Sequence, residues 1–350
     1  MAQVESRSEG ATGGATGDTS PQITAEGEAP PGVDPPIVSV VMPVYNCRAY
    51  VADAVRSILW QTFADFELIV VDDGSTDGSS QILDELARSD HRIILLRHPN
   101  AGMTRAMNEG VERARGEFIA RMDADDISLP TRLQKQLDYL RAHPECVAVG
   151  SAIVMMDSYG NPLYLSRWPE SHEDSDAALL RGRSDGGLAH PAATIRTTGI
   201  RAIGGYREKF KYAQDKDLWL RLGEIGRLAN LPEPLLKYRM HGTSTASTRA
   251  APQRAEFEEA IVEACQRRGI TPPPRPPPPL RASLLSFPGL RAQFAMYAIQ
   301  GCNFRVARQH AFAHARSHPV SPRSWLLVAL ALTAPIIQRI RGKERFCVAE

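Results

Sequence analysis

The sequence lacks several features that would place it in common protein classes. Its cysteines are few, odd in number and widely spaced, and no two of them form a CxxC pair: Cys47, Cys146, Cys265, Cys302 and Cys347. This usage argues against a disulfide framework and a zinc site, and it fits a reducing compartment. The first residues are polar and acidic with no apolar core, so we expect no secretory signal and a cytoplasmic protein.

The chain also lacks a large excess of either positive or negative charge, and it lacks long apolar runs. Lys and Arg number 41 against 40 Asp and Glu, which gives a net charge of +1 and no global argument for nucleic-acid binding. The apolar run 325–337 has thirteen residues, too short to span a bilayer comfortably. Neither Gly-x-Gly-x-x-Gly nor Gly-Lys-Ser/Thr occurs, which speaks against dinucleotide and P-loop binding.

Composition nevertheless divides the chain. The first 36 residues carry six acidic side chains against one basic and almost no large apolar ones, so they should be disordered. The last seventy carry ten Lys or Arg against two Glu, and a stiff run of prolines precedes them. We predict four parts: a disordered tail (1–36), the main folded domain (37–250), a helix with a Pro-rich linker (251–280) and a basic helical region (281–350).

Apolar runs alternate with helical segments from residue 37 onward. The runs that predict buried strands are 37–42, 66–71, 92–96 and 117–121. The intervening segments predict helices at 46–59, from a Ser75 or Thr76 cap to 88, and at 102–114. This alternation predicts an α/β fold built on a parallel sheet with right-handed crossovers.

The alternation weakens beyond residue 150. A turn signal at 159–162 predicts a hairpin within 153–165. The remaining expected elements are strands at 189–197 and 235–240 and helices at 216–225, 290–315 and 325–341.

Three carboxylates, Asp123, Asp125 and Asp126, follow the fourth predicted strand. Holding them together is costly unless a cation or a polar ligand neutralises them, and such oxygen donors suit Mg²⁺ or Mn²⁺ shared with phosphate. Ligands of a parallel sheet bind beyond the carboxyl ends of its strands, where 43–46 and 72–75 should also lie. The cluster therefore predicts a metal-assisted site for a phosphorylated substrate, with a solvated acidic turn as the alternative.

In order and spacing, these motifs resemble those of family 2 glycosyltransferases of the GT-A fold, which use nucleotide-sugar donors. The resemblance covers about residues 37–250 and rests on segments 38–46, 61–63, 67–78, 100–110, 123–130, 214–221 and 241–244. It implies a GT-A (Rossmann-like) domain with a mixed, mostly parallel sheet flanked by helices, followed here by a helical C-terminal extension. It also implies an inverting transfer that depends on Mn²⁺ or Mg²⁺, with a UDP-sugar as the usual donor.

The resemblance assigns donor-side roles residue by residue. The positions that would bind the donor are Pro43, Val44, Tyr45, Asp73, Gly102, Asp123, Ala124 and Asp125. Asp73 would accept from the base ring nitrogen, Asp123 would contact the ribose, and Asp125 would coordinate the metal together with His241. Asp72 and Asp126 would then be structural.

The resemblance also names a catalytic base. Asp215 would take the proton of the acceptor hydroxyl as that hydroxyl attacks the anomeric carbon in line. Asp217 is its rival, and a helix N-cap is the structural alternative for Asp215. Gln214 stands where many members carry Glu, and His190 resembles an acceptor-side segment.

The function implied is an enzyme of cell-surface polysaccharide or glycolipid assembly, acting on a saccharide or lipid-linked acceptor. Two alternatives stay open: a catalytically silent sugar-nucleotide-binding protein on the same fold, and a nucleotidyltransferase. The presence together of Asp123, Asp125, Asp215 and His241 argues against the first. Segment 43–46 lacks the Gly-rich signature with a basic residue that is typical of the second.

The apolar run 325–337 has a basic flank, Arg339, Arg341, Lys343 and Arg345. One interpretation is an interfacial helix that meets anionic lipid on the inner face of the plasma membrane. The other is a buried helix that packs against 290–315 or against a partner in a homodimer.

Overall fold

The computed structural model describes residues 34–242, 249–274 and 289–341, with side chains to residue 337. The predicted disorder of the tail, Thr243 and Ser244 of the histidine motif, most of the proline run and the basic residues after 341 therefore lie outside the described residues. The described residues from Pro35 onward belong to one compact unit. The boundaries at 250 and 280 stay predictions.

The described strands are β1 (Val38–Val44), β2 (Phe66–Asp72), β3 (Ile93–Arg97), β4 (Phe118–Arg121), β5 (Ile127–Ser128), β6 (Cys146–Met156), β7 (Pro162–Ser166), β8 (Thr194–Arg196) and β9 (Arg227–Arg239). The helices are α1 (Val51–Leu59), α2 (Ser79–Ser89), α3 (Met103–Arg113), α4 (Arg132–Ala142), α5 (His172–Leu180), α6 (Thr197–Ala202), α7 (Gln214–Leu222), α8 (Ala250–Arg268), α9 (Leu290–Gln300), α10 (Phe304–Ser317) and α11 (Pro322–Arg341).

All these strands belong to one sheet, whose order is β3-β2-β1-β4-β8-β6-β9-β5, with β7 paired to β6. The run β3-β2-β1-β4 is parallel, as is the pair β6 and β9. Strand β8 runs antiparallel to both β4 and β6, and so joins the two parallel parts. The predicted α/β class with a mixed, mostly parallel sheet is confirmed.

Helices cover both faces of the sheet, which explains why its first strands are apolar throughout. Successive side chains of a strand point to opposite faces. In β1, Val40 and Met42 join the core beneath α1 and α4, whereas Val41 joins the core beneath α3 and α7. Every residue of β1 and β2 is buried, as expected for strands covered on both faces.

The predicted starts of two helices were wrong, and hydrogen bonds between the loops that precede these helices explain both errors. Helix α1 begins at Val51 and α2 at Ser79, each several residues later than predicted. Asn46 adopts the left-handed φ of 51° that asparagine tolerates, and its backbone N–H donates to Ser75 Oγ over 3.0 Å. The backbone N–H of Thr76 donates to Asn46 Oδ1 over 2.8 Å. The two loops therefore bond to each other instead of capping their own helices.

Later elements also differ from expectation. The predicted strand 189–197 is reduced to β8, because residues His190–Ala192 form a 3₁₀ turn around Pro191. The predicted strand 235–240 is the end of the longer β9. The hairpin within 153–165 is confirmed as β6 and β7.

The predicted helix 290–315 is two helices, α9 and α10, which are separated at Gly301, Cys302 and Asn303. The side-chain amide of Asn303 donates to the carbonyl of Pro162 over 2.8 Å. Gly301 lies so close to β7 that a Cβ there would be 2.0 Å from the Leu163 carbonyl oxygen. The break thus lets the chain pack closely on the hairpin, a contact that no local pattern records.

The buried carboxylate of Glu67 joins the start of β2 to β1 and to the turn before β4. It accepts from Ser39 Oγ over 2.6 Å and from the Arg115 guanidinium over 2.7 Å. We predict that Glu67→Gln lowers the free energy of unfolding by about 2 kcal/mol, because charge-assisted bonds to a buried group are lost. Urea unfolding followed by circular dichroism measures the change.

The matched control is Asp53→Asn, which removes an exposed carboxylate 3.8 Å from Arg56. It should change stability by less than about 0.5 kcal/mol. Equal losses for the two variants would contradict a structural role for the Glu67 network.

Candidate active site

The acidic cluster lies where it was predicted, beyond the end of β4. Asp123, Asp125 and Asp126 each place one carboxylate oxygen within 4.8 Å of the others. Asp126 is fully buried, and its Oδ1 accepts from the backbone N–H of Arg239 over 2.8 Å. Its Oδ2 has no hydrogen-bond partner within the described residues. Ala124, between Asp123 and Asp125, is buried in the core.

Burial raises the pKa of Asp126 well above its ordinary value, and the charges of Asp125 and Asp123 raise it further. Burial also raises the pKa of Asp123, although the guanidinium of Arg121 opposes this effect. Three converging carboxylate oxygens, one of them beside an unused buried oxygen of Asp126, fit a divalent cation of the Mg²⁺ or Mn²⁺ type.

A buried arginine that sequence reasoning missed neutralises part of this cluster. Arg121 is the last residue of β4, is almost fully buried, and forms an ion pair with Asp123. The sequence could have indicated this ion pair, because Arg121 lies two residues before the acidic motif and a basic side chain inside a strand of a covered sheet needs a partner.

A second buried arginine, Arg132 of α4, fixes the backbone of this strand end. Its Nη2 donates to the carbonyls of Arg121 over 2.6 Å and of Ala193 over 3.2 Å. Burial and the charge of Arg121 lower the pKa of Arg132 to about 9. The end of β4 and the turn before β8 are thereby held together directly under the cluster.

The structure brings His241 close to Asp125. His241 Nε2 lies 2.8 Å from Asp125 Oδ2, across 116 positions of sequence. Strand β9 runs into this histidine, and its last residue, Arg239, donates from Nε to the Asp125 carbonyl over 2.8 Å. The ring of Tyr50 lies 5.6 Å from the His241 ring and 4.5 Å from the Arg239 guanidinium carbon. Tyr50 was also missed.

Of the residues predicted to bind the donor, Pro43, Val44 and Tyr45 lie at the end of β1 and Asp73 follows β2. Pro43 and Val44 are buried, whereas Tyr45 is 52% exposed. Gly102 has a φ of 96°, and a Cβ placed there would meet nothing within 4 Å, so open space lies over it. A cleft of about 570 Å³ is lined by residues 46–50, Asp77 and His241. The cleft thus adjoins the histidine of the acidic cluster.

Asp72 and Asp73 are both buried and hydrogen-bonded, but to different loops. Asp72 accepts from the backbone N–H of Ser75 over 3.0 Å and from Ser80 Oγ over 2.5 Å. Asp73 accepts from the backbone N–H groups of Ala101 over 2.6 Å and of Gly102 over 3.0 Å. Asp73 therefore holds the loop before α3 against the end of β2.

The two carboxylates at the start of α7 have different surroundings. Asp217 is fully buried and forms ion pairs with Arg207 and with Arg221, the latter at 2.8 Å. Asp215 is partly exposed and makes no hydrogen bond or ion pair with any residue in the described ranges. It lies near enough to the acidic cluster to raise the pKa of Asp123. Asp215 is thus the accessible carboxylate of the two.

His190 is buried against Tyr206 and against Trp219 of α7. Its Nε2 is 2.9 Å from the hydroxyl of Tyr206, and its ring meets the Trp219 ring edge-on at 5.9 Å. Burial and the charge of Arg121 lower the pKa of His190 well below its ordinary value. It is therefore a neutral imidazole at physiological pH.

Comparison with known proteins agrees with this arrangement. The family model described as Glycosyl transferase family 2 matches residues 39–203. An uncharacterized glycosyltransferase of Haemophilus influenzae is 33% identical over 61% of this chain and 68% of its own length. The putative glycosyltransferase EpsE of Bacillus subtilis is 32% identical over 66% of this chain and 83% of its own length. The hyaluronan synthase of Pasteurella multocida is 27% identical over 67% of this chain and 24% of its own length.

The solved structures share the fold. TarS residues 1–349 of S. aureus, solved with UDP-GlcNAc, has a TM-score of 0.52 at 17% identity and covers 89% of this chain and 94% of its own. The mannosyltransferase PcManGT of Pyrobaculum calidifontis, solved with GDP-Man and Mn²⁺, has a TM-score of 0.51 at 19% identity, with 90% coverage of each chain. The fold is thus that of the GT-A transferases. The chain belongs to glycosyltransferase family 2 and is a transferase enzyme.

Replacing Asp73 tests how the loop before α3 is held. We expect Asp73→Asn to speed hydrogen exchange at the amides of Ala101 and Gly102 by about tenfold or more, because an amide oxygen cannot accept both bonds as the carboxylate does. Hydrogen–deuterium exchange mass spectrometry measures this change.

The control is Asp84→Asn, which alters a half-exposed carboxylate paired with Arg97 at 2.8 Å. It should leave exchange at Ala101 and Gly102 unchanged. If Asp73→Asn also left those amides protected, the loop would be held by other contacts.

Proposed function

We propose that this protein is a metal-dependent, inverting glycosyltransferase that moves a sugar from a nucleotide-diphosphate donor to a hydroxyl acceptor in cell-surface polysaccharide or glycolipid assembly. The observation that carries this proposal is the accessible Asp215 carboxylate beside the cluster of Asp123, Asp125 and Asp126. The similarity to a hyaluronan synthase supports a polysaccharide or glycolipid product. The cysteine usage supports a reducing, cytoplasmic site of reaction.

In this proposal Asp125 and His241 hold the divalent cation, with Asp123 and Asp126 completing the negative site. Bound there, Mn²⁺ or Mg²⁺ would act as a Lewis acid that neutralises charge on the diphosphate. Arg239, which donates to the Asp125 carbonyl, keeps the turn in place for this role. The Mn²⁺ of the mannosyltransferase structure supports the same class of metal.

The nucleotide would lie across the ends of β1 and β2. Tyr45 is exposed enough to stack on a base, with Pro43 and Val44 forming the floor beneath it. Asp123 would receive the ribose hydroxyls, and the buried Arg121 pairs with its carboxylate and orients it. The open space over Gly102 lets the donor approach the backbone. UDP is the first nucleotide to test, because TarS was solved with UDP-GlcNAc.

Asp215 would serve as the general base for the acceptor. Asp217 is paired with Arg207 and Arg221, so the partly exposed Asp215 is the better placed of the two to take a proton. The attacking oxygen loses its proton to Asp215, forms its bond to the anomeric carbon, and the nucleoside diphosphate leaves from the opposite face. His190 stays our acceptor-side prediction, as a neutral hydrogen-bonding group.

The decisive experiment compares Asp→Asn changes at two positions of the first turn of α7. Nucleoside diphosphate release is measured with UDP-sugars and GDP-mannose in the presence of Mn²⁺. We expect Asp215→Asn to lower kcat by about 10²- to 10⁴-fold with stability unchanged, because only a general base is lost. Asp217→Asn should instead lower the free energy of unfolding by about 3 kcal/mol, because two arginines lose a buried partner.

If no donor released nucleoside diphosphate and Asp125→Ala changed nothing, the enzyme would not be a transferase of these donors. Binding of a nucleotide sugar without turnover would point to the silent binding protein. Release of pyrophosphate from a nucleoside triphosphate with a sugar phosphate would point to a nucleotidyltransferase.

Metal binding can be tested through stability alone. Carboxyl groups whose folded-state pKa is raised make the metal-free protein less stable as pH rises through that pKa, because the unfolded chain has already released those protons. A bound cation removes this penalty and favours the ionised carboxylates. We therefore expect Mn²⁺ to raise Tm more at about pH 8 than at about pH 5.5.

Asp125→Asn should abolish most of this shift, whereas Asp138→Asn, an exposed change on α4, should preserve it. A shift that was equal at the two pH values, or that survived Asp125→Asn, would contradict metal binding at the cluster.

A further inference from the structure

Helix α11 is apolar on two opposite sides. Its inner side packs into the core of the C-terminal helices through Leu327, Val328 and Ala331. Its outer side consists of exposed apolar residues: Trp325, Leu326, Ala329, Leu332, Ile336 and Ile337. Trp325 is 52% and Ile336 is 61% exposed. A helix that is apolar on two opposite sides implies a second apolar partner for its outer side.

The segment that forms the C-terminal helices carries charge of one sign only. No Asp or Glu occurs from residue 264 to residue 343. Arg291, Arg305, Arg316 and Arg323 are exposed on the helices α9, α10 and α11. This surface therefore complements an anionic partner. A second copy of the chain would bring arginines against arginines at the same surface.

The helices that carry this surface are firmly attached to the sheet. His310 of α10 is buried, and its Nε2 lies 2.7 Å from Asp157 Oδ2, just beyond β6. Asn303 donates to Pro162, and Leu163 of β7 lies in the core of the C-terminal helices. The outer side of α11 thus has a set position relative to the catalytic domain.

The same helices also adjoin the metal end of the site. The Leu290 side chain at the start of α9 lies 3.9 Å from the position of a Cβ on Gly242, the residue after His241. The start of α9 therefore lies next to the strand end that carries His241.

We propose that the outer side of α11 binds the headgroup region of an anionic lipid bilayer. The apolar side chains enter the interface, the Trp325 indole lies at the polar boundary, and the arginines contact acidic headgroups. The helix lies on the bilayer: within the described residues no helix is long and apolar enough to cross one. The proposal rests on the C-terminal helices and holds whichever sugar is transferred.

Flotation of the full-length protein with lipid vesicles tests this proposal. The vesicles contain phosphatidylglycerol mixed with phosphatidylcholine, or phosphatidylcholine alone. We expect binding to the anionic vesicles that falls with added salt, and little binding to the neutral ones. The double variant Trp325→Glu, Ile336→Glu should reduce the partition coefficient by about tenfold or more, since two apolar anchors become charged.

The matched control is Trp60→Glu, Ile225→Glu, which makes the same changes on the catalytic domain at residues that are 71% and 53% exposed. It should bind vesicles as the unaltered protein does, and circular dichroism melts would show that both double variants fold. Arg316→Gln, Arg323→Gln should weaken binding to anionic vesicles without altering the fold.

Three outcomes would overturn the proposal. Equal vesicle binding by the test and control variants would place the lipid contact elsewhere. If the protein bound neither type of vesicle, a lipid bilayer would not be the partner of this surface. A dimer in light scattering that dissociates on Trp325→Glu, Ile336→Glu, without vesicle binding, would assign the outer side of α11 to a second copy. Because nucleoside diphosphate release is not the readout, these results are separate from the test of catalysis.

Discussion

The cost of gathering carboxylates at the end of β4 is the constraint on which the rest of the site depends. Asp123, Asp125 and Asp126 repel one another, and burial makes the charges of Asp123 and Asp126 more expensive. Arg121, buried at the end of β4, forms an ion pair with Asp123. Arg132 donates a hydrogen bond to the backbone carbonyl of Arg121, the last residue of the strand. The remaining negative charge is what a cation would neutralise. The cluster thus depends on the folded chain, which places Arg121 and Arg132 at the end of the strand that carries it.

Around this cluster, distant segments are joined by hydrogen bonds that tie one loop to another. The loop after β1 bonds to the loop after β2 through Asn46, and Asp73 holds the loop before α3. Strand β9 brings His241 to Asp125 from the far side of the sheet. The loops after β1, after β2 and before α3 therefore form one hydrogen-bonded group. Their positions follow from the sheet order.

Sequence patterns predicted the first strands, the parallel arrangement and the acidic cluster, because burial on both faces leaves a continuous apolar run that is easily recognised. They failed at helix starts, where Ser75 looks like a cap but accepts from Asn46. They also could not separate Asp215 from Asp217, since both lie in the first turn of α7. The difference lies in Arg207 and Arg221, and only packing shows that Asp217 is their partner.

The C-terminal helices show the same contrast between what the sequence predicts and what only packing reveals. The sequence by itself determined that 325–337 is apolar, that its surroundings are basic and that the cluster at 123–126 is acidic, because composition and spacing are local properties. Only the tertiary structure decided that α11 buries one side and exposes the other, and that the Asp157–His310 pair holds its helices on the sheet. It also decided which carboxylates are paired, because burial and partnership depend on residues that lie far apart in sequence.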